Sequence, residues 1–427
     1  MTATHLPASP ERAAAPLARP LRHPAPPPPG ARVAVAMSGG VDSSVAAALL
    51  VEAGYQVVGF TMWLYDEPAG GRRAARSCCA PVDVADARRV ADQLGIPHQT
   101  LDLRARFAAE VIDDFAAEYA RGRTPSPCVR CNQKLKYDTL VQAAAAVGAD
   151  TLATGHYAAV ARAAADAGAA ADAGAGAAGG AARAADAGAA APLGGTRAGG
   201  AALRLARATD LRRDQSYFLF TLGSGALAHA LFPLGAWTKP EVRAHARELG
   251  LATADKPDSM EICFVPDGDH RGLVARRLGA AGAPAPAAGD IVDTEGRTLG
   301  RHGGVHGFTI GQRHGLGVSA AEPLYVLAID AAAARLTVGP RAALGFRAAH
   351  VEQVCWPDGH PPAAPLRALV QVRHHHRGAP ALVEPDGASA AHVRFDAPEE
   401  AVSPGQAAVF YVGDQVAGGG FLREGLR

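Results

Sequence analysis

Residues 32–44 read Arg-Val-Ala-Val-Ala-Met-Ser-Gly-Gly-Val-Asp-Ser-Ser. A short apolar run is followed by two glycines and then by a helical pattern over 42–53 that ends at Gly54. This order predicts a strand, a glycine loop and a helix, with the backbone N–H groups of the loop at the positive end of the helix. The loop is therefore expected to bind a phosphate. The simpler alternative is an ordinary glycine-rich turn in which Asp42 or Ser43 caps the helix.

Strand and helix patterns alternate beyond this loop. The predicted strands cover 55–64, 98–103 and 150–154, and the predicted helices cover 84–94, 107–121 and 135–147. Such alternation predicts an α/β fold with a doubly wound parallel sheet.

The remaining chain divides by composition. Residues 1–30 are rich in Pro and Ala and predict a disordered tail, with an organellar transit peptide as the alternative. Residues 31–205 form the predicted nucleotide-binding domain, interrupted at 158–202 by an Ala/Gly-rich insert that is expected to be flexible or an Ala-rich helix. Residues 206–288 predict a small, mainly helical central domain, where Thr238-Lys-Pro-Glu241 is a capping box. Short alternating runs over 289–427 predict a C-terminal β-barrel.

Composition limits the classes of function. The 427-residue chain has a formal net charge of +1, which excludes a globally basic surface, so that contacts with RNA must come from local patches. No bulky apolar run reaches the length of about 18 residues that a membrane span needs, and we expect no membrane contact. Six cysteines are too sparse for a disulfide framework, which predicts reduced thiols and a cytoplasmic protein.

Two separated motifs contain candidate reactive cysteines. Residues 124–136 read Thr-Pro-Ser-Pro-Cys-Val-Arg-Cys-Asn-Gln-Lys-Leu-Lys, and basic neighbours near a helix start favour the thiolate of Cys131. The pair Cys128 and Cys131 is also typical of half a zinc site, completed by Cys78 and Cys79, or of a redox disulfide. Cys263, within residues 258–265, would by itself be interpreted as a buried core thiol.

Taken together, these motifs resemble the bacterial tRNA-specific 2-thiouridylases, of the N-type ATP pyrophosphatase superfamily. The matching segments are, in order, 38–43, 127–132, 153–157, 213–218, 258–264, 309–317, 403–411 and 418–420. The loop lacks the Gly-Lys-Ser/Thr ending of a Walker loop, which disfavours γ-phosphoryl transfer. Two positions depart from the family: Cys128 stands where many members have Asp, and Glu261 where many have Gly. The first departure leaves Cys128 as a rival thiol.

The resemblance implies ATP-dependent 2-thiolation of the wobble uridine (U34) of tRNA. ATP adenylates the C2 oxygen, a persulfide on Cys263 attacks C2 and displaces AMP, and the nucleophile Cys131 releases the thiolated base by forming a transient disulfide with Cys263. Mg²⁺ is expected with ATP, near Asp42, and no metal site built from protein ligands is expected. The ATP-binding residues implied are Ala36, Met37, Ser38, Gly39, Gly40, Val41, Asp42, Ser43, Met62 and Gly155.

The implied partners are tRNA, a sulfur-relay protein that donates the persulfide, and a cellular thiol reductant. The implied tRNA contacts are His156, Arg213, Asp214, Gln215, Arg373, His374 and Gln406. By itself, the histidine run that begins at His374 would indicate a solvated face or a metal-binding tract. Two rival functions remain: a ligating or amidating synthetase of the same superfamily, such as an argininosuccinate synthase or a lysidine synthetase, and a zinc-stabilised RNA-binding module with a vestigial nucleotide site.

Overall fold

The computed structural model describes residues 21–66, 81–163, 202–258, 262–265, 268–284, 286–400 and 402–427. Predictions for residues 1–20, for 164–201 of the insert, and for Cys78, Cys79 and Glu261 lie outside the described residues. Among the helices in these ranges, none combines the length and the apolar character that a membrane crossing requires.

Helices are concentrated before residue 281 and strands after it. The helices are α1 (Val41–Glu52), α2 (Pro81–Leu94), α3 (104–120), α4 (127–146), α5 (Ser224–Leu227), α6 (Lys239–Glu248) and α7 (His270–Ala280). Short 3₁₀ turns cover Ser216–Phe218, Pro233–Ala236, Val305–Gly307 and Arg341–Leu344.

The strands are β1 (Arg32–Ala36), β2 (Gln56–Trp63), β3 (His98–Asp102), β4 (Thr151–Thr154), β5 (Ala159–Arg162), β6 (Leu203–Ala206), β7 (Ala230–Leu231), β8 (Gly289–Val292), β9 (Thr298–His302), β10 (Tyr325–Asp330), β11 (Arg335–Gly339), β12 (Gly345–Cys355), β13 (Leu366–Gln371), β14 (Ala379–Asp386), β15 (Ala390–Glu400), β16 (Ala407–Val412) and β17 (Gln415–Leu426).

The predicted doubly wound sheet is confirmed. Five parallel strands lie in the order β3-β2-β1-β4-β7. Because side chains alternate along β1, Val33 and Val35 pack in a cluster with α1, α2 and α6, whereas Ala34 packs in a second cluster with α3 and α4. The neighbours of β1 are β2 on one side and β4 on the other, so the topological switch point, where ligands bind in such sheets, lies between β1 and β4.

The central region, residues 206–288, contains the predicted helices. Short strands in it and at its start pair with the parallel sheet and with the C-terminal sheet. The capping box is confirmed, since Thr238 N donates to Glu241 Oε2 at 2.8 Å at the start of α6. However, β7 adds to the parallel sheet, and β6 pairs with β5 and with β17 of the C-terminal sheet. Strands this short carry too little pattern to indicate their partners, so the sequence does not predict these pairings.

The C-terminal part is a closed antiparallel barrel preceded by a smaller sheet. The barrel follows the order β12-β15-β14-β13-β16-β17 and closes through pairing of β17 with β12, which confirms the predicted barrel. Residues 289–339 form a separate four-stranded sheet, β10-β11-β8-β9, around its own apolar cluster. The sequence predicts one barrel over 289–427, because alternating runs predict strands but not which sheet each strand joins; the structure divides these residues between two sheets.

Residues 21–30 correct the prediction of a disordered tail over 1–30. The backbone N–H of Val160 donates to Arg22 O at 3.2 Å, and the Tyr55 hydroxyl donates to Pro27 O at 3.0 Å. His23 is buried, with Nε2 3.3 Å from Leu227 O. A Pro-rich segment without regular secondary structure is thus held by contacts with distant residues.

Candidate active site

The turn after β1 has the geometry of an anion-binding loop. Gly39 has a φ of 68°, and a Cβ atom there would lie 2.2 Å from the backbone oxygen of Asp83, so only glycine fits. Ser43 Oγ accepts from the backbone N–H of Ser38 at 3.1 Å and donates to Gly40 O at 3.1 Å. Gly40 is the N-cap residue of α1, and no side chain caps this helix. The alternative of a side-chain cap is therefore wrong.

The residues predicted to bind ATP lie around the switch point. Gly155 follows β4, and a Cβ atom there would lie 2.7 Å from Ser43 N, so the turns after β1 and β4 touch. Ala36 ends β1, and the buried Met62 lies in β2. The Thr61 hydroxyl donates to Met37 O at 2.7 Å, which anchors the start of the loop to β2. These positions share the carboxyl edge of the sheet, where a phosphate at the start of α1 fits.

Asp42 points towards cationic and phenolic groups from other elements. Its carboxylate lies 2.7 Å from Lys239 Nζ and accepts from the Tyr157 hydroxyl at 2.8 Å. Burial, and secondarily Asp42, raise the pKa of Tyr157, so this phenol stays protonated and donates. Lys239 is the first residue of α6 and is 7% exposed. Sequence reasoning missed Lys239, whose capping-box context indicates only a helix start.

Lys256 is a second lysine that sequence reasoning missed. Its Nζ donates to Gly39 O at 2.9 Å and to the carboxylates of Asp83 and Asp86 at 2.6 and 2.5 Å. Burial acts to lower the pKa of Lys256, but the hydrogen bonds that its ammonium donates to both carboxylates outweigh burial, and the pKa is raised. The ammonium therefore stays charged directly behind the loop. Residues 251–258 contain no motif that indicated this contact.

Cys131 and Cys263, which are far apart in sequence, pack against the same apolar cluster. Cys131 lies in the first turns of α4, and Cys263 lies in the turn at 262–265; both are half-buried. The turn is anchored because the Tyr65 hydroxyl donates to Cys263 O at 2.8 Å. The next ring, Phe264, makes edge contacts with Phe107 and Phe115 of α3 at 5.6 and 5.2 Å between centroids. The turn that carries Cys263 is thus held by two other parts of the chain, and the role of its thiol stays a prediction.

The basic residues near Cys131 have partners of their own. The guanidinium of Arg130 lies 4.2 Å from the ring centroid of Phe421 and donates to Gln353 Oε1 at 3.1 Å. Lys136 Nζ lies 3.3 Å from His156 Nε2. The thiolate of Cys131 therefore stays a prediction. Within the described ranges no group of three or more His, Cys, Asp or Glu could hold a metal ion.

The barrel docks on the segment that leads into the Cys128–Cys131 turn. The side-chain amide of Gln406 donates to the backbone oxygens of Thr124 and Pro125, both at 3.1 Å. Gly405 has a φ of 89°, and a Cβ atom there would lie 2.8 Å from Thr124 O. A polar cavity of about 150 Å³ lies beside this contact, lined by residues of α3, the turn before α4 and the barrel. Gln406 is therefore already engaged with protein backbone.

Three other predicted tRNA contacts are also held inside the protein. His156 Nδ1 lies 2.8 Å from Thr154 Oγ1, and burial, with a smaller effect of Lys136, holds the pKa of His156 well below its usual range. Asp214 is 9% exposed, accepts from Ala208 N at 2.8 Å, and has a pKa that burial raises. Gln215 Oε1 accepts from the backbone N–H of residue 157 at 3.0 Å. These groups shape the fold around β4 and β6.

The remaining three predicted tRNA contacts lie nearer the surface. The side chain of Arg213 is 46% exposed and forms an ion pair with Asp258 at 2.8 Å. Arg373, 43% exposed, donates to Glu400 O at 3.0 Å. The His374 ring packs against Phe218 at 4.5 Å between centroids, with the ring planes tilted by 46°. Burial, followed by the effect of the neighbouring His375, lowers the pKa of His374 to about 4. The ring is therefore neutral at pH 7.

Family models match nearly all of the described chain. Residues 31–267 match the model described as tRNA methyl transferase HUP domain, residues 282–340 the tRNA methyl transferase PRC-barrel domain, and residues 346–422 the aminomethyltransferase beta-barrel domain.

Curated relatives match over the same length. The chain is 48% identical to the tRNA-specific 2-thiouridylase MnmA of Rhodospirillum rubrum over 93% of this chain and 97% of that protein. It is 45% identical to the tRNA-specific 2-thiouridylase MnmA of Sorangium cellulosum over 93% of this chain and 94% of that protein. A solved 4-thiouridine synthetase in complex with RNA and bound ATP matches at 14% identity over 59% of this chain and 54% of that one, with a TM-score of 0.30, which is too low to support an argument.

Proposed function

Because this chain belongs to the tRNA-specific 2-thiouridylase family, we propose that it replaces the C2 oxygen of the wobble uridine of tRNA by sulfur in an ATP-dependent reaction. As a member of this family it is an enzyme, a tRNA sulfurtransferase that thiolates uridine. The observation that carries the finer proposal is the packing of Cys131 and Cys263 against one apolar cluster, beside a sheet whose switch point forms an anion-binding loop.

The first step is adenylation of the uridine. ATP is the substrate that would occupy the loop 36–43 and the contact with Gly155, because the start of α1 carries uncapped backbone donors. The C2 oxygen attacks the α-phosphorus, the bond to pyrophosphate breaks, and the base carries AMP on O2. Lys256, and Lys239 when phosphates draw it from Asp42, supply positive charge near the leaving pyrophosphate.

Sulfur transfer uses the two cysteines in sequence. The terminal sulfur of a persulfide on Cys263 attacks C2, and the C2–O bond breaks with AMP as the leaving group. The thiolate of Cys131 then attacks Cys263 Sγ, the bond to the transferred sulfur breaks, and the 2-thiouridine leaves. The electron pair of that bond stays on the thiolated base, and a Cys131–Cys263 disulfide remains. A cellular thiol must reduce this disulfide, and a sulfur-relay protein must reload Cys263.

Mg²⁺ is proposed to accompany ATP by neutralising its phosphates. The loop offers Asp42 as the nearest carboxylate, but Lys239 and Tyr157 already occupy its oxygens. The residues present thus fit a cation that is held mainly by the phosphates.

The tRNA contacts proposed by resemblance divide into three groups. Arg213 and Arg373 are exposed enough to meet phosphates directly. His156, Asp214, Gln215 and Gln406 are held in internal hydrogen bonds, and we propose that they act by fixing the backbone that the tRNA meets. The neutral ring of His374, packed against Phe218, suits contact with a base or ribose better than with a phosphate.

The test is incubation of the purified protein with unmodified tRNA, ATP, Mg²⁺ and a persulfide-loaded sulfur-relay protein, followed by mass analysis of nucleosides. We expect one sulfur to replace one oxygen on the wobble uridine, dependent on ATP and accompanied by AMP. Formation of AMP without sulfur transfer would point to a synthetase with another acceptor. Mass analysis also distinguishes sulfur exchange from the methyl addition that the family-model description names.

A further inference from the structure

Two histidines meet on the outer face of the C-terminal barrel. His350 lies in β12, and His392 is its cross-strand partner in β15. The adjacent residues Ala349, Val351 and Val393 are buried, so alternation along the strands turns both histidines away from the barrel core. The two Nε2 atoms lie 3.0 Å apart. The sequence does not indicate this pair, because 42 positions separate the two histidines.

The orientation of the two rings does not suit a direct hydrogen bond. A linear N–H···N bond would set the rings end to end, with their centroids much farther apart than their nitrogens. The centroids lie only 3.9 Å apart, and the ring planes are inclined by 63°, so the rings stand side by side and converge at Nε2. Two nitrogens that bind one ion at about 2.0–2.1 Å and at a right angle lie about 2.9 Å apart. The observed separation of 3.0 Å suits a shared metal ion.

Carboxylates on neighbouring strands surround the pair. Glu424 of β17 is the other cross-strand partner of His350, and its Oε1 lies 3.2 Å from His350 Nδ1. A proton on Nδ1 is donated to this carboxylate, which leaves the lone pair of Nε2 for a metal ion. Asp386 Oδ2 of β14 lies 3.4 Å from His392 Nε2. The two carboxylates offset the charge of a divalent cation at the pair.

We propose that His350 and His392 bind one divalent transition-metal ion through their Nε2 atoms, with Glu424 as a positioning residue. Imidazole nitrogens suit Cu²⁺, Ni²⁺ and Zn²⁺, whereas Mg²⁺ prefers oxygen ligands. Within the described ranges no third His, Cys, Asp or Glu completes the site, so water fills the remaining positions. The proposal replaces the expectation that no metal binds to protein ligands, and it does not depend on the proposed function.

The ion is expected to stabilise the barrel, because it links β12 to β15 and the unfolded chain does not hold the two imidazoles together. The probe is Ni²⁺, titrated by calorimetry into the full-length protein with reduced thiols. We expect a dissociation constant in the micromolar range for the wild-type protein. Its midpoint of urea unfolding should rise as Ni²⁺ is added.

Variants test which side chains bind the ion. His350→Gln and His392→Gln should each lower the affinity for Ni²⁺ at least tenfold, and the double variant should bind about as weakly as either single variant, because one missing imidazole already removes the chelate. Glu424→Gln should weaken binding less, since it changes only the orientation of His350. His375→Gln is the matched control: this exposed histidine lies in the run that begins at His374, and its loss should leave the affinity unchanged.

The same titrations can overturn the proposal. Equal affinities of the wild-type protein and the double variant would show that Ni²⁺ binds elsewhere, at the thiols or at the histidine run. A large loss of affinity in His375→Gln would identify that run as the site. A millimolar dissociation constant for the wild-type protein, or a urea midpoint that does not rise with Ni²⁺, would show adventitious binding only. The last two results need no variant, so they decide the matter even where a substitution prevents folding.

Discussion

The nucleotide loop and the cysteine region are built in opposite ways. Loop 36–43 is one continuous segment whose turn follows from its own residues, with Gly39 at a positive φ and serine hydroxyls bonded within the turn. The cysteine region is assembled from three parts: the helices α3 and α4, the turn at 262–265 and the barrel. Phe264 joins the turn to α3, Arg130 joins α4 to the barrel, and Gln406 joins the barrel to the segment before α4. A site made of one segment can be recognised by motif, whereas a site made of three needs the docking of domains.

Replacing a reactive cysteine should give the largest difference between the two regions, because it should stop thiolation and leave pyrophosphate release from ATP. We expect Cys263→Ser to lose thiolation to background, because a serine cannot carry a persulfide, while pyrophosphate release from ATP continues for the first turnover. Cys131→Ser should stop one step later, when the thiolated base must leave Cys263, and Cys128→Ser should weaken thiolation less. The measurements are nucleoside mass analysis and pyrophosphate release. Full thiolation by Cys263→Ser would remove the relay from the mechanism.

A methyl group at Gly39 should damage the loop and leave the cysteine region folded. In Gly39→Ala the added Cβ meets Asp83 O, and we expect a loss of roughly 2 kcal/mol or more in the free energy of unfolding, with loss of ATP-dependent pyrophosphate release. Gly95→Ala is the matched control, since Gly95 has the same φ of 68° but nothing within 4 Å of the added atom. If denaturant unfolding shows the same loss of free energy of unfolding in both variants, the positive φ, and not the contact with Asp83, causes the destabilisation.

Weakening the contact between the barrel and the segment before α4 should reduce the function of the cysteine region more than that of the nucleotide loop. Gln406→Ala removes two hydrogen bonds to the turn before α4, with an expected cost of about 1–2 kcal/mol. Thiolation should fall more than pyrophosphate release does. Gln415→Ala, which removes a bond to Arg162 O elsewhere on the barrel, should change the ratio of the two rates little. A fall in both rates together for Gln406→Ala would contradict the separation of the regions.

The smallest expected effect concerns pH. His374 has an ordinary pKa of about 6.5 when unfolded and a pKa of about 4 in the folded protein, so the unfolded state binds more protons between these values. Its contribution to stability is present above about pH 6.5 and is lost as pH falls through about 4. His374→Phe keeps a ring against Phe218 and should reduce the loss of stability between about pH 7 and about pH 5, measured by urea unfolding. His360→Gln, at an exposed histidine, should leave that loss unchanged.

Sequence patterns predicted the parts of the fold that depend on neighbouring residues. The strand, glycine loop and helix at 32–52, the capping box at Thr238 and the β-rich C-terminal region are all confirmed. The pattern at Cys131 also predicted a helix start, although α4 begins earlier than the periodicity over 135–147 suggested, because Pro127 suits the first turn.

The sequence by itself determined a strand, a glycine loop and a helix on a parallel sheet, and two cysteine motifs, because turn geometry and side-chain periodicity act over a few residues. Only the tertiary structure decided that β7 joins the parallel sheet, that residues 21–30 pack, that both cysteines meet one apolar cluster, and that Lys239 bridges Asp42 and Asp258. These contacts join residues separated by tens to hundreds of positions. Burial and charge balance in the folded chain select such contacts, and no local pattern encodes them.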